Sequence, residues 1–380
     1  MTALGRLMAA IGLGSWIAGW LTGWNELMVV AAGSLLALTV ALPFVVGRLR
    51  LDAHRSLVPD RVTVGDAART EVVIRNPGRA PSRATVLEDG VGSDRHRVAV
   101  PILNPGGAHS GGYDLPTDRR GVFAVGPLVA VRQDPLRLLR REVAQMGIET
   151  LYVHPRVVAT RPLPLGLVKD LEGPTSDASP AGDVAFHALR EYQMGDDFRH
   201  IHWLSTARTG TTMVRHYVDN RRPALAVVLD DRAAVIDGDQ FEIAVSVTAS
   251  LVVSSLLARQ PVSAAFGGLS LRGAARAGSQ TDLLDQLAGV EPGPGTALFD
   301  AGTEALRHDP GASAMAIVTG PVPPSELARF ATQLRRRARI IFIRIWPDRT
   351  GLEPAGVPGG TVLDVSDLRQ FQAAWNRFAS

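Results

Sequence analysis

The sequence predicts a mixed α/β protein: an N-terminal two-helix transmembrane hairpin, a β-sandwich-like middle domain and a doubly wound α/β domain at the C-terminus. Three observations predict it. Two long apolar runs fill most of the first fifty residues, short alternating strands between turn residues follow, and from Arg222 onward apolar strands alternate with helical runs. The boundaries that result are residues 1–50 for the hairpin, 51–160 for the sandwich-like part, 161–222 for a linker and signature segment, and 223–380 for the α/β domain.

Composition sets the limits. A chain of 380 residues exceeds one ordinary domain, and 46% hydrophobic with 20% charged residues describes a folded chain, not a disordered one. No cysteine is present, which excludes disulfides, zinc–thiolate sites and thiol nucleophiles. The pI is near 9.7, yet the net charge is only +3 and arginine carries nearly all of the positive side. That balance suits a protein beside an anionic membrane face. A nucleic-acid binder concentrates its charge on one element, so no nucleic-acid partner is expected and membrane lipid is.

From Leu7 to Val46 the only charged side chain is Glu26, in the polar break Thr22-Gly23-Trp24-Asn25-Glu26. The second run, Leu27 to Val46, is long enough to cross a hydrocarbon core of about 30 Å at about 1.5 Å per residue. The first matches it if Arg6 snorkels at one end and Trp16, Trp20 and Trp24 sit toward the opposite interface. Arg6 precedes the hairpin and Arg48, Arg50 and Arg55 follow it, so the positive-inside rule places both termini in the cytoplasm. A cleaved signal peptide over Met1 to Ala18 is the competing reading, opposed by the second full-length apolar run and the single basic residue at the start.

Between Leu57 and Arg141 the alternation has period two. Val62 to Val64, Thr70 to Arg75, Arg97 to Pro101, Gly111 to Leu115 and Gly121 to Val125 are strand candidates, divided by turns such as Asn76-Pro77-Gly78. After Asp134-Pro135, Arg137, Arg140 and Arg141 read as the exit from a last strand, or as a contact for lipid headgroups or an acidic partner. Leu151-Tyr152-Val153 ends at His154-Pro155, and Leu163 to Gly182 is rich in loop-forming residues.

The densest segment runs from Leu189 to Arg208. It holds Arg190, Glu191 and Tyr192, then Gly195, Asp196, Asp197, Arg199 and His200, then Ile201, His202, Trp203, Ala207 and Arg208. In order and spacing these blocks resemble the signature of the bacterial family called domain of unknown function 58, DUF58. The apolar hairpin, the β-rich stretch, Asp134-Pro135 and Tyr152 to Pro155 are similar to that family's layout as well, so the resemblance covers nearly the whole chain. Leu204 departs from it, standing where members commonly carry lysine; a partner contact made by that lysine would be missing here.

The resemblance implies a membrane protein often paired with a MoxR-type AAA ATPase and bearing a region similar to a von Willebrand factor A domain. It implies no known reaction. Read on their own, Asp196, Asp197, His200 and His202 offer metal ligands or acid–base groups, and a His-x-His pair on a strand points both rings to one face. The competing reading occupies the carboxylates with Arg190, Arg199 and Arg208, with Trp203 and Tyr192 as an apolar plug and Gly195 permitting the turn. This second reading is preferred, with docking to a partner as the use of any charges left exposed.

In the C-terminal domain, strands are expected at Ala224 to Leu229, Pro261 to Phe266, Ala314 to Thr319, Ile340 to Trp346 and Thr361 to Val365. Helices are expected at Phe241 to Leu257, Thr281 to Leu287, Ser325 to Arg337 and Asp367 to Phe378. Ligands in such folds bind beyond the carboxyl ends of the strands, so Asp230, Asp231 and Thr319 mark the default site. A metal-binding A domain carries Asp-x-Ser-x-Ser there, whereas this chain reads Asp230-Asp231-Arg232-Ala233-Ala234. Both serines are missing and Arg232 sets a positive charge where a cation belongs, so a metal-free, degenerate site is expected. No phosphate-binding Gly-rich loop and no Gly-x-Ser-x-Gly elbow occurs.

The function expected is that of a membrane-anchored protein-interaction or assembly factor in the bacterial plasma membrane. It is not expected to be an enzyme, needs no cofactor, and acts with a MoxR-type ATPase on an unidentified client. The alternative is a metal-dependent hydrolase centred on the Asp/His cluster of the signature.

Overall fold

The computed structural model describes residues 1–46, 51–164, 184–193, 198, 201–219, 224–236, 238–266, 269–273, 279–295, 297–346 and 356–380. The chain divides into two units, Met1–Pro155 and Arg156–Ser380.

The first unit begins with the two apolar runs, which form helices α1 (Ala3–Thr22) and α2 (Asn25–Val45). Thr2 caps α1, its hydroxyl accepting from the Gly5 amide at 3.0 Å and donating to the Arg137 carbonyl at 2.7 Å. Gly23, at φ +74°, ends α1 in the left-handed conformation and turns the chain into α2. The helices approach at small residues: a Cβ added to Gly12 would lie 2.9 Å from that of Ser34. Their outer faces leave Leu13, Trp16, Trp20, Leu21, Val29, Leu35 and Leu36 exposed, a continuous apolar surface that water does not favour. Both helices are long and apolar enough to span a membrane.

The strands that follow are β1 (Asp52–Val58), β2 (Arg61–Thr63), β3 (Arg69–Arg75), β4 (Thr85–Val91) and β5 (Asp94–Val100), then β6 (Ala108–Asp114), β7 (Gly121–Val125), β8 (Leu128–Gln133), β9 (Arg140–Met146) and β10 (Glu149–His154). They make a three-stranded sheet, β1-β3-β6, and a seven-stranded sheet ordered β2-β10-β7-β4-β8-β9 with β5 paired to β4. β3 shows why: every second residue, Thr70, Val72 and Ile74, is buried and the rest are exposed. Six of the ten strands, β2, β3, β5, β6, β7 and β10, are those the sequence predicted, within a few residues at their ends; β1, β4, β8 and β9 are additional. Arg140 therefore opens a strand and does not leave the last one.

Arg55, expected as a surface charge flanking the hairpin, is buried instead. Its Nη1 meets Asp89 at 2.7 Å, both side chains being 0% exposed. Tyr113 donates to the other Asp89 oxygen at 2.8 Å, and Arg55 Nη2 to the Gly147 carbonyl at 2.9 Å. The network satisfies charges that would otherwise be costly to bury. Arg48 and Arg50 lie outside the described residues.

In the second unit, β11 (Val184–Glu191), α3 (Trp203–Thr209) and β12 (Met213–Asp219) occupy the signature segment. β13 (Ala224–Leu229), α4 (Gly238–Leu257), β14 (Val262–Phe266), β15 (Leu269–Gly273), α5 (Ser279–Ala288), α6 (Leu298–His308) and β16 (Ala312–Thr319) come next. α7 (Pro324–Leu334), β17 (Arg339–Ile345), β18 (Gly360–Val365) and α8 (Leu368–Phe378) close the chain. The six-stranded sheet is ordered β15-β14-β13-β16-β17-β18. All its pairings are parallel except β14 with β15. Every residue of β13 is buried, as expected of a strand covered on both faces.

One face packs Phe241, Val245 and Val252 of α4, Leu287 of α5, and Phe371 and Trp375 of α8. The other packs Leu306 of α6 and Leu327 and Phe330 of α7. The sequence pattern missed α6 and the antiparallel edge strand β15. By length and composition α4 is a third helix apolar enough for a membrane, but 72% of it is buried inside the unit, so it is a core helix. Its serines anchor the chain that enters the unit: Ser250 and Ser254 accept the amides of Val158 and Thr160 at 3.0 and 3.1 Å.

Candidate functional site

β13 and β16 are neighbours in the sheet, and the helices that follow them, α4 and α7, pack on opposite faces; the carboxyl ends of such a pair are where an open α/β sheet places a ligand. Asp230 directly follows β13, and Thr319 is the last residue of β16. Both are buried, at 3% and 0% exposure, and the Thr319 hydroxyl donates to Asp230 Oδ2 at 2.6 Å.

Arg232 closes the position. Its Nε donates to Asp230 Oδ1 and its Nη2 to Oδ2, each at 2.8 Å, a bidentate pair. The same guanidinium reaches Glu326, in the first turn of α7, at 3.3 Å. Its hydrogen bonds to Asp230 hold the Arg232 pKa above the ordinary arginine value, against the opposing effect of burial. The loop opposite is shaped to fit: Gly295, at φ +59°, has no room for a Cβ, which would lie 2.5 Å from Arg232 Cγ. Asp231, expected at the default ligand site beyond the strand, is only 8% exposed, and its carbonyl accepts the Gly293 amide at 2.9 Å. The turn after β13 pairs with Gly293, in the loop after α5, which removes Asp231 from solvent.

The signature segment is a separate antiparallel hairpin. Arg190 and Glu191 of β11 pair with Val214 and Met213 of β12, and the Tyr192 amide extends the ladder to the Thr212 carbonyl at 2.8 Å. Arg190 is half-buried and Glu191 exposed. Ile201 is buried in a single bridge to Val214. His202 is not on a strand. It is the N-cap of α3: Nδ1 accepts the Ser205 amide at 3.2 Å and lies 2.7 Å from the Ser205 hydroxyl. Ala207 and Arg208 are exposed, with Arg208 in the last turn of α3, where the helix dipole favours a cation.

Trp203 is not a plug. It is 70% exposed, with Leu204 at 66% and Phe198 at 69%, and Phe198 stacks on Tyr192 with ring centroids 5.6 Å apart. Gly195, Asp196, Asp197, Arg199 and His200 lie outside the described residues. Among the described residues no group of three or more His, Asp or Glu side chains is placed to hold a metal ion.

Among the buried charged groups that escaped the sequence pattern are Arg344 and Glu88. Arg344 of β17, 2% exposed, pairs with Asp364 of β18 through Nε at 2.6 Å and Nη2 at 3.0 Å. Glu88 of β4 gathers Arg95, Arg97 and Arg140 at 3.6, 3.1 and 2.6 Å. An arginine inside the apolar run Arg339 to Ile345, and a Glu-Asp pair inside a strand, were the signals available.

These features define a mixed α/β protein with two candidate membrane-spanning helices, a two-sheet β unit, and a parallel-sheet unit whose ligand position is filled by an internal ion pair. Residues 188–365 match the family model described as protein of unknown function DUF58, the family whose signature this segment resembles. No curated protein matches the chain. A von Willebrand factor type A structure from Catenulispora acidiphila is 15% identical, with 44% of each chain covered and a TM-score of 0.29. The CARDB domain of a Pyrococcus furiosus protein, solved with di-metal ions, is 18% identical over 28% of this chain and 96% of its own, with a TM-score of 0.21. At such scores neither likeness bears on the site.

Proposed function

We propose that the chain is a membrane-anchored protein-interaction or assembly factor of the bacterial plasma membrane, acting with a MoxR-type AAA ATPase on a client and not by catalysis. Its C-terminal unit is read as a von Willebrand factor A-like domain that has exchanged a metal for an ion pair. Both termini face the cytoplasm. The observation that carries the reading is the exposure of three large apolar side chains of the signature, Trp203, Leu204 and Phe198. Such residues, tryptophan above all, act as anchors in protein interfaces.

Support comes also from the strand ends. Both Asp230 oxygens and the Thr319 hydroxyl are engaged with each other and with Arg232, so these donors do not fit a divalent cation. The partnership with the ATPase rests on the family resemblance. The test is co-purification of the full-length chain from native membranes, comparing wild type with Trp203→Ala/Leu204→Ala. Loss of an interface tryptophan costs about 2 kcal/mol or more, roughly thirtyfold in affinity. Because both side chains are exposed, expression and melting should not change. Unchanged capture of the ATPase would remove this surface as the docking site.

A further inference from the structure

Where the hairpin meets the seven-stranded sheet, the first unit contains a cleft of about 950 Å³, within the size range of small-molecule sites. Phe44, next to the last residue of α2, forms an apolar side. Arg83, Arg97, Arg132, Arg137 and Arg140 surround it, and Glu88 is the one carboxylate among the lining residues. Arg97 and Arg140 are engaged with that carboxylate; the other three arginines are the excess.

Arg83 is exposed and donates to the Pro43 carbonyl at 2.9 Å. Arg137 is exposed on the β8–β9 turn, whose carbonyl receives the Thr2 hydroxyl at the start of α1. Arg132 has a buried Nε with no hydrogen-bond partner among the described residues. Burial, and then the nearby charges of Arg83 and Arg141, lower its pKa. Like charges held together around an unmet buried donor are stabilised by an anion and by little else.

The position of the cleft identifies the anion. α1 starts and α2 ends beside it, and helices of 20 and 21 residues are about as long as the hydrocarbon core is thick. The cleft therefore lies at headgroup depth. We propose that it binds the phosphate of an anionic phospholipid headgroup through Arg83, Arg132 and Arg137, with Phe44 against the lipid's apolar part. This rests on reading the hairpin as a membrane anchor.

The experiment titrates the full-length chain, purified in a nonionic detergent, with phosphatidylglycerol, phosphatidylcholine or inorganic phosphate, reading bound lipid by native mass spectrometry and stability by thermal shift. Phosphatidylglycerol should bind and stabilise. Arg83→Gln and Arg137→Gln, both at exposed positions, should each weaken it roughly fivefold, the usual effect of one basic residue at an anionic surface. Arg79→Gln, exposed and outside the cleft, should leave it unchanged. Equal binding of phosphatidylcholine, an equal response to inorganic phosphate, displacement by an acidic peptide but not by lipid, or no effect of the two variants would each overturn the assignment. A carbonate wash of native membranes separates the anchor reading: release of the chain refutes the anchor, whereas retention without lipid preference refutes only the headgroup site.

Discussion

Asp230→Asn tests whether the strand-end ion pair is structural. The carboxylate is 0% exposed and its Arg232 partner 18%, and the asparagine amide turns a donor toward a guanidinium that is itself only a donor. Breaking a buried pair from one side costs about 3–5 kcal/mol. Glu326 keeps a hold on Arg232, so the lower end, about 3 kcal/mol, is expected, out of roughly 5–15 kcal/mol for a typical domain. The chain has two units, and a single two-state melt does not isolate the second. Amide exchange of the peptides covering β13 and β16 does. Their protection should fall about a hundredfold, since each 1.4 kcal/mol is a factor of about ten. Unchanged protection together with lost partner capture would show that Asp230 is a working residue and that the structural reading is wrong.

Further outcomes follow from the other charged groups. Burial opposes the ionised form of Glu88, but Arg140 and Arg97 outweigh it and hold its pKa below the ordinary 4.5. Its contribution is therefore complete above that ordinary value and is lost as pH falls through the lowered one. Acid titration of wild type should show a loss of stability there that Glu88→Gln lacks, read by exchange of the β4 amides. Asp364→Asn should destabilise the second unit by about 3 kcal/mol, while Arg344→Met/Asp364→Leu should come close to wild type, because an apolar pair replaces a buried ion pair at little cost; chemical denaturation followed on β17 peptides distinguishes them. A reporter that works only in the cytoplasm should function when fused after Ser380, and activity of a reporter confined to the outside would reverse the topology.

Much of the fold was legible because the signals are local. Apolar runs of full membrane length, and strands such as β3 with clean alternation between turn residues, need no tertiary information. β4 was not legible because Glu88 and Asp89 are buried by partners distant in sequence, which breaks the pattern that exposure would give. β9 begins Arg140-Arg141-Glu142 and reads as a solvated turn, although Arg140 is turned onto Glu88. In the signature, composition located an unusual segment but gave no direction for its side chains. A seven-residue helix capped by a histidine offers too little periodicity to tell an exposed tryptophan from a buried one. Asp231 failed for a related reason: the first residues beyond a parallel strand are open only if the following loop turns away, and here it folds back onto Gly293.

Docking of an ATPase by the membrane-held chain can be read by flotation. Full-length protein is reconstituted into liposomes, mixed with a purified MoxR-type ATPase from the same genome, and centrifuged through a density gradient with and without ATP. The ATPase should float with wild-type proteoliposomes, and far less with Trp203→Ala/Leu204→Ala. An ATPase that stays at the bottom of the gradient with wild-type protein, alongside stoichiometric binding of a divalent cation by that protein, would refute docking and favour a metal-dependent enzyme.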